Sequence, residues 1–136
     1  MTKLNIVIAT HGKFGVELVK SAEMLMGKTE NVYNLSLLPG KSFEDFTQEA
    51  TDLFSTLDGP TIALVDIFGG TPSNVMTALT RNYSHKVICG VNLPLFLDLY
   101  MKSSVAESID IDQLITECRD TFSESFVITN DRLEKQ

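Results

Sequence analysis

The 136 residues carry eleven Lys and Arg against eighteen Asp and Glu, a formal net charge of -7, with 43% hydrophobic and 21% charged residues. That balance describes one globular domain over residues 1–136 and excludes a disordered or collagen-like chain. The acidity is the wrong sign for neutralising phosphate backbones, so no nucleic-acid partner is expected.

Cys89 and Cys118 stand far apart without a CxxC pair or neighbouring histidines, so neither a disulfide framework nor a metal site is read. No run approaches the roughly 18 apolar residues of a membrane helix, and the start lacks the pattern of a signal peptide. The expectation is a soluble protein of a reducing cytoplasm. Residues 98–136 hold nine acids and four bases, against nine and seven in residues 1–97, so the acidity concentrates in the tail.

Short β-branched runs alternate with amphipathic stretches, the pattern of an α/β fold with a mainly parallel sheet and helices on both faces. Residues 4–9 form the first strand. Phe14, Leu18, Val19, Ala22, Leu25 and Met26 then recur at helical spacing up to Gly27. Residues 32–37 form the second strand. After Pro39-Gly40, Ser42 and Asp45 make a capping-box-like start for a helix with Phe43, Phe46, Ala50, Leu53, Phe54 and Leu57 on one face.

Gly59-Pro60 stops that helix, and residues 61–65 are a near-continuous apolar run suited to burial on both faces. Thr71 reads as the N-cap and Pro72 as the first residue of a helix over residues 72–82. Residues 86–91 form the fourth strand, and Pro94 opens a short helix ending at Lys102. Asp110 or Asp112 caps another helix, containing Leu114, Ile115, Cys118 and Phe122. Residues 126–129 read as a last short strand.

In open parallel sheets the ligand crevice lies beyond the carboxyl ends of the strands, where strand order reverses. With a doubly wound order 2-1-3-4, strands one and three adjoin there, which brings together His11 and Asp66, 55 residues apart in sequence. As an imidazole, His11 suits a proton carrier or nucleophile, though such a residue also serves as a helix cap or core histidine. His85, in the turn entering the fourth strand, reads as a solvated turn residue. Asp66 alone would cap its turn. Beside His11 it fixes the imidazole tautomer and leaves the other ring nitrogen free to attack an electrophile.

Gly69-Gly70-Thr71-Pro72-Ser73-Asn74 supplies what a phosphoryl group needs: close approach at Gly70, hydroxyls on Thr71 and Ser73, and free N–H groups at a helix start. It is equally a good turn and cap. A helix start offers an anion about 0.3–2 kcal/mol. A phosphoryl dianion about 7 Å from the Asp66 carboxylate is repelled by about 5 kcal/mol at an effective dielectric of 20. Such a site tolerates phosphate transiently and does not trap it. The chain has no Walker lysine motif and no carboxylate cluster for magnesium, so a nucleotide-using kinase is poorly supported and no cofactor is read. A receiver domain lacks its acidic pair, a histidine phosphatase lacks the arginine before the His, and a serine hydrolase lacks GxSxG.

These residues belong to an ordered set: Thr10-His11-Gly12, Ser21-Ala22-Glu23-Met24-Leu25-Met26-Gly27, Leu38-Pro39-Gly40, Leu64-Val65-Asp66, Gly69 to Asn74, and Gly90-Val91-Asn92-Leu93-Pro94. The set resembles the IIA component of the mannose family of the bacterial sugar phosphotransferase system over residues 4–100, and fades beyond residue 101. The resemblance implies that His11 accepts a phosphoryl group on Nε2 from the phosphocarrier protein HPr and passes it to a IIB component. IIB in turn serves the membrane components IIC and IID. It also implies that Asp66 is the carboxylate partner of the His and that Thr71 borders the phosphoryl site.

The family is dimeric with its last strand exchanged between subunits, a part that falls to residues 126–129 here. Because one such domain fills the 136 residues, IIB is expected on a separate chain. Phe68 stands where some members have Trp, and Leu95 where many have Met; both keep an apolar surface. Two alternatives remain open: a relay to dihydroxyacetone kinase, and a regulatory module whose binding depends on the phosphorylation of His11. The sugar is not written in a protein that touches only other proteins.

Overall fold

The computed structural model describes residues 3–134. Four strands, β1 (Asn5–His11), β2 (Val32–Leu37), β3 (Thr61–Val65) and β4 (Lys86–Cys89), form one sheet in the order β2-β1-β3-β4. All three pairings are parallel, with Ala9 opposite both Leu35 and Val65, and Val65 opposite Cys89. Six α-helices complete the described residues: α1 (Phe14–Met26), α2 (Phe43–Phe54), α3 (Thr71–Ala78), α4 (Leu93–Val105), α5 (Ile111–Glu124) and α6 (Thr129–Glu134).

The alternation of side chains along β1 and β3 divides the interior in two. Ile6, Ile8, Ile62 and Leu64 face α1, α4 and α5, where Phe96 and Leu99 are fully buried. Val7, Ala9, Ala63 and Val65 face α2 and α3, where Phe46 and Met76 are fully buried. Every residue of β3 is buried, as an apolar run between two helical layers requires. Burying each such Leu, Ile or Phe contributes about 1.5–3 kcal/mol.

The helix ends follow the side chains that can cap them. Ser42 Oγ accepts the Asp45 N–H at 3.0 Å, Asn92 Oδ1 accepts the Leu95 N–H at 2.9 Å, and Asp110 Oδ1 accepts the Gln113 N–H at 3.1 Å, so Asp110 rather than Asp112 caps α5. Glu23 accepts both the N–H and the hydroxyl of Thr29 at 2.9 Å, bracing the turn after Gly27. Between α4 and α5, Asp98 Oδ2 accepts from Lys102 Nζ at 3.0 Å and from Thr121 Oγ1 at 2.9 Å. Burial disfavours the Asp98 carboxylate, but these donors outweigh it and hold the carboxyl below its usual range. Burial first, then the Asp98 charge, push the Cys118 thiol up to about 12, which makes it an inert core group.

Four expectations are corrected. The helix after Gly70 begins at Thr71, with Gly70 as its N-cap, and gives way to a 3₁₀ turn over Leu79–Arg81. β4 ends at Cys89 because the Gly90 and Val91 N–H groups both turn back to the Val65 carbonyl, at 2.8 and 3.0 Å. α4 runs on to Val105, well past Lys102. Residues 126–128 form no strand and Thr129 opens α6, because these residues lie beside no strand of their own chain and a ladder needs a neighbour.

Candidate functional site

The carboxyl ends of β1 and β3 meet at the point where the strand order reverses, with His11 as the last residue of β1 and Asp66 directly after β3. The strand therefore reaches two residues beyond the expected end at Ala9 and carries the imidazole on its rim. Asp66 Oδ2 accepts both the His11 main-chain N–H and the His11 Nδ1–H, each at 2.9 Å. Its other oxygen, Oδ1, accepts the Ile67 N–H at 2.9 Å. One carboxylate thus receives three donors on two oxygens, so it must act as an acceptor on both sides.

That arrangement sets the imidazole tautomer: Nδ1 carries the proton and Nε2 keeps its lone pair. The His11 side chain is 49% exposed whereas that of Asp66 is 15% exposed, so the carboxylate is sheltered beneath a ring that reaches solvent. Gly70 lies against the ring. A Cβ there would stand 2.7 Å from His11 Cε1 and 3.1 Å from Nε2, so only glycine leaves that space open.

Thr71 is half-buried at the first position of α3 and makes no side-chain cap bond, so it borders the helix start without closing it. Ser73 is not brought to the ring: it is buried, with Oγ 3.5 Å from Cys89 Sγ. Residues two apart on a helix point to different sides, so Thr71 and Ser73 cannot both face one ligand. His85 is likewise corrected. It is buried, its Nε2 donates to the Met76 carbonyl at 2.9 Å, and its ring lies 4.5 Å from that of Phe54. Among the described residues no group of His, Cys, Asp and Glu is placed to hold a metal ion.

Sequence reasoning passed over Thr10 as more than part of a motif, although a hydroxyl residue closing an apolar buried run is a visible signal. It is fully buried and its Oγ1 accepts the Gly15 N–H at 3.0 Å. The rim around His11 is apolar and exposed at Phe14, Ile67 and Phe68, the last 84% accessible.

The family model described as the PTS system fructose IIA component (EIIA-man) matches residues 5–116. The chain belongs to this family. It is a IIA-type sequence of the sugar phosphotransferase system, and the likeness reaches well past the residue 101 at which the motifs fade. The PTS system mannose-specific EIIAB component of Escherichia coli (strain K12) is 35% identical over 108 residues, 77% of this chain and 33% of that protein. The chain therefore spans a third of the length of that curated relative. The PTS system fructose-specific EIIA component of Bacillus subtilis (strain 168) is 25% identical over 97% of this chain and 90% of its own. Among solved structures, the phosphotransferase system component EIIA from Streptococcus agalactiae superposes with a TM-score of 0.84 at 27% identity, covering 94% of this chain and 98% of that one. The parallel 2-1-3-4 sheet with helices around it is thus an α/β fold that matches that EIIA structure. No helix of the described residues is long and apolar enough to cross a membrane.

Proposed function

We propose that this EIIA-man protein is a phosphoryl carrier in which His11 forms a phosphohistidine, taking the group from HPr and handing it to a IIB component. The observation that carries the proposal is the 2.9 Å bond between His11 Nδ1 and Asp66 Oδ2, which leaves Nε2 as the free nucleophile on the rim. The Nε2 lone pair attacks the phosphorus of the donor's phosphohistidine. The donor's P–N bond breaks, and its imidazole leaves with that electron pair. A new P–N bond forms on His11, whose Nδ1–H stays toward Asp66, so the positive charge gained by the ring faces a carboxylate that takes no proton.

The open space at Gly70 admits the phosphoryl group beside Nε2, and the N–H groups at the start of α3, Thr71 first, receive its oxygens. Transfer onward repeats the same exchange with IIB as acceptor, which supplies sugar phosphorylation at the membrane components IIC and IID. The carrier works in the cytoplasm. Phe14, Ile67 and Phe68 form the surface on which the protein partners sit.

The test is incubation with ³²P-labelled phospho-HPr beside the His11→Ala variant. Label on the wild type alone supports the proposal, and equal label on both sinks it. Discharge of the labelled protein by a IIB domain then separates a carrier from a regulatory module, which would keep its label, and discharge by a dihydroxyacetone kinase identifies the other relay.

We also propose that the protein is a homodimer. Among the described residues β4 pairs only with β3, leaving an open sheet edge, and a groove of about 560 Å³ lined by Ile88, Leu95, Ile115 and Phe122 runs beside it. Phe126, at 85% accessible, and Ile128 lie exposed on the segment after α5, and a second copy would cover both features. Sedimentation of the protein against a Phe126→Asp variant tests this: a monomeric wild type would refute it.

A further inference from the structure

We propose that Thr10 is a positioning residue for His11, acting through the turn that joins β1 to α1; the role in transfer rests on the phosphoryl-carrier proposal above. α1 has no side-chain cap of its own, because the residue before it, Lys13, makes none. The cap comes instead from the neighbouring strand. Thr10 Oγ1 accepts the Gly15 N–H at 3.0 Å and lies 3.4 Å from the Gly12 carbonyl oxygen, to which it donates. One buried hydroxyl thereby satisfies a helix-start amide and holds the carbonyl of Gly12, the residue after His11.

The geometry leaves little room for another solution. A Cβ on Gly15 would stand 2.8 Å from Ile8 Cγ2 and from Asn34 Oδ1, and 3.3 Å from Thr10 Cγ2, so the helix start is seated directly on the sheet. Gly12, at φ +58°, gives its N–H to the Leu37 carbonyl at 2.9 Å. The His11 N–H goes to Asp66. The main chain on both sides of His11 is therefore pinned. Thr10 supplies the contacts that tie β1 to the start of α1. Alternation along β1 puts the Thr10 side chain on the opposite face from His11, so its effect on the ring passes through the backbone and not through contact. Without the hydroxyl, the turn after His11 is freer to rotate, and Nδ1 no longer keeps its place on Asp66.

The decisive pair is Thr10→Ala against Thr10→Ser, which both lose the γ-methyl and differ only in the hydroxyl; Thr10→Val adds a variant that keeps the branched shape. Labelling by phospho-HPr is expected to fall about tenfold in Thr10→Val and Thr10→Ala, and to stay within about twofold of the wild type in Thr10→Ser. Nitrogen NMR of the His11 ring above neutral pH gives the second readout. The expected spectrum has one protonated nitrogen, Nδ1, in the wild type and Thr10→Ser, and a mixture of tautomers in the two variants without a hydroxyl. Equal labelling rates and equal tautomer populations in Thr10→Ala and Thr10→Ser would overturn the proposal. A wild type that takes no label would overturn the carrier function instead, and the tautomer comparison would still decide the role of Thr10.

Discussion

The two histidines of this chain occupy opposite ends of the same sheet, and each commits one ring nitrogen to a hydrogen bond. His11 gives Nδ1–H to Asp66 at the carboxyl end of β1, and its side chain remains 49% exposed. His85 gives Nε2–H to the Met76 carbonyl where the chain enters β4, and it is 5% exposed with no partner for Nδ1 among the described residues. The difference lies in where the remaining lone pair is directed. At His11 it meets the rim, a glycine and a helix start; at His85 it is shut in near Phe54 and contributes packing. An imidazole becomes available for chemistry here through the end of the sheet on which it falls, since loops at the carboxyl ends leave a crevice.

The largest expected break in this comparison is His11→Ala, which removes phosphorylation altogether, while His85→Gln is labelled by phospho-HPr at the wild-type rate. Gel autoradiography of both variants in one experiment decides it. Next comes Asp66→Asn. An amide cannot accept from His11 on one side and from Ile67 on the other, since one of its two heteroatoms is only a donor. Labelling is expected to slow about 10- to 100-fold with the circular dichroism spectrum unchanged. A smaller loss, roughly tenfold, is expected for Gly70→Ala, whose Cβ displaces the His11 ring; φ of -91° there lets alanine fold without backbone strain, and rapid-quench rates measure the effect.

The smallest effect belongs to His85 and concerns stability rather than transfer. Burial holds its pKa below the ordinary 6.5, and the hydrogen bond to Met76 only partly opposes this. The unfolded chain therefore binds the proton more readily than the folded one. The stability contributed by neutral His85 is complete above 6.5 and is lost as pH falls through the lowered folded-state value. Urea midpoints at about pH 7.5 and about pH 5.5 should fall further for the wild type than for His85→Gln. Equal slopes would show that the buried ring does not sense acid.

The juxtaposition of His11 and Asp66 was legible once the order 2-1-3-4 was assumed: β-branched runs separated by helices announce a parallel sheet but leave its strand order open, and the structure supplies that order. Residues Thr61 to Val65 announced a strand buried on both faces in the same way. What the sequence concealed depends on side-chain direction within a turn or two. Pro72 suits the first helical position, yet the helix begins one residue earlier, which moves the cap from Thr71 to Gly70 and turns Ser73 inward. His85 looked like a turn residue because its neighbours Tyr83, Ser84 and Lys86 suit a turn, while the Phe54 that encloses it lies on a helix more than thirty residues earlier. Residues 126–128 have strand-like composition, but composition does not state which edge, or whose, the segment pairs with.

The sheltered carboxylate and the glycine against the ring leave His11 a single accessible nitrogen on one face of the protein. One nitrogen can engage one macromolecule at a time. Phosphoryl donor and acceptor would then have to take turns, giving ping-pong kinetics in which an excess of either competes with the other. An excess of one partner occupying the form of the carrier it cannot use would then slow the flux, a form of control that needs no allosteric site.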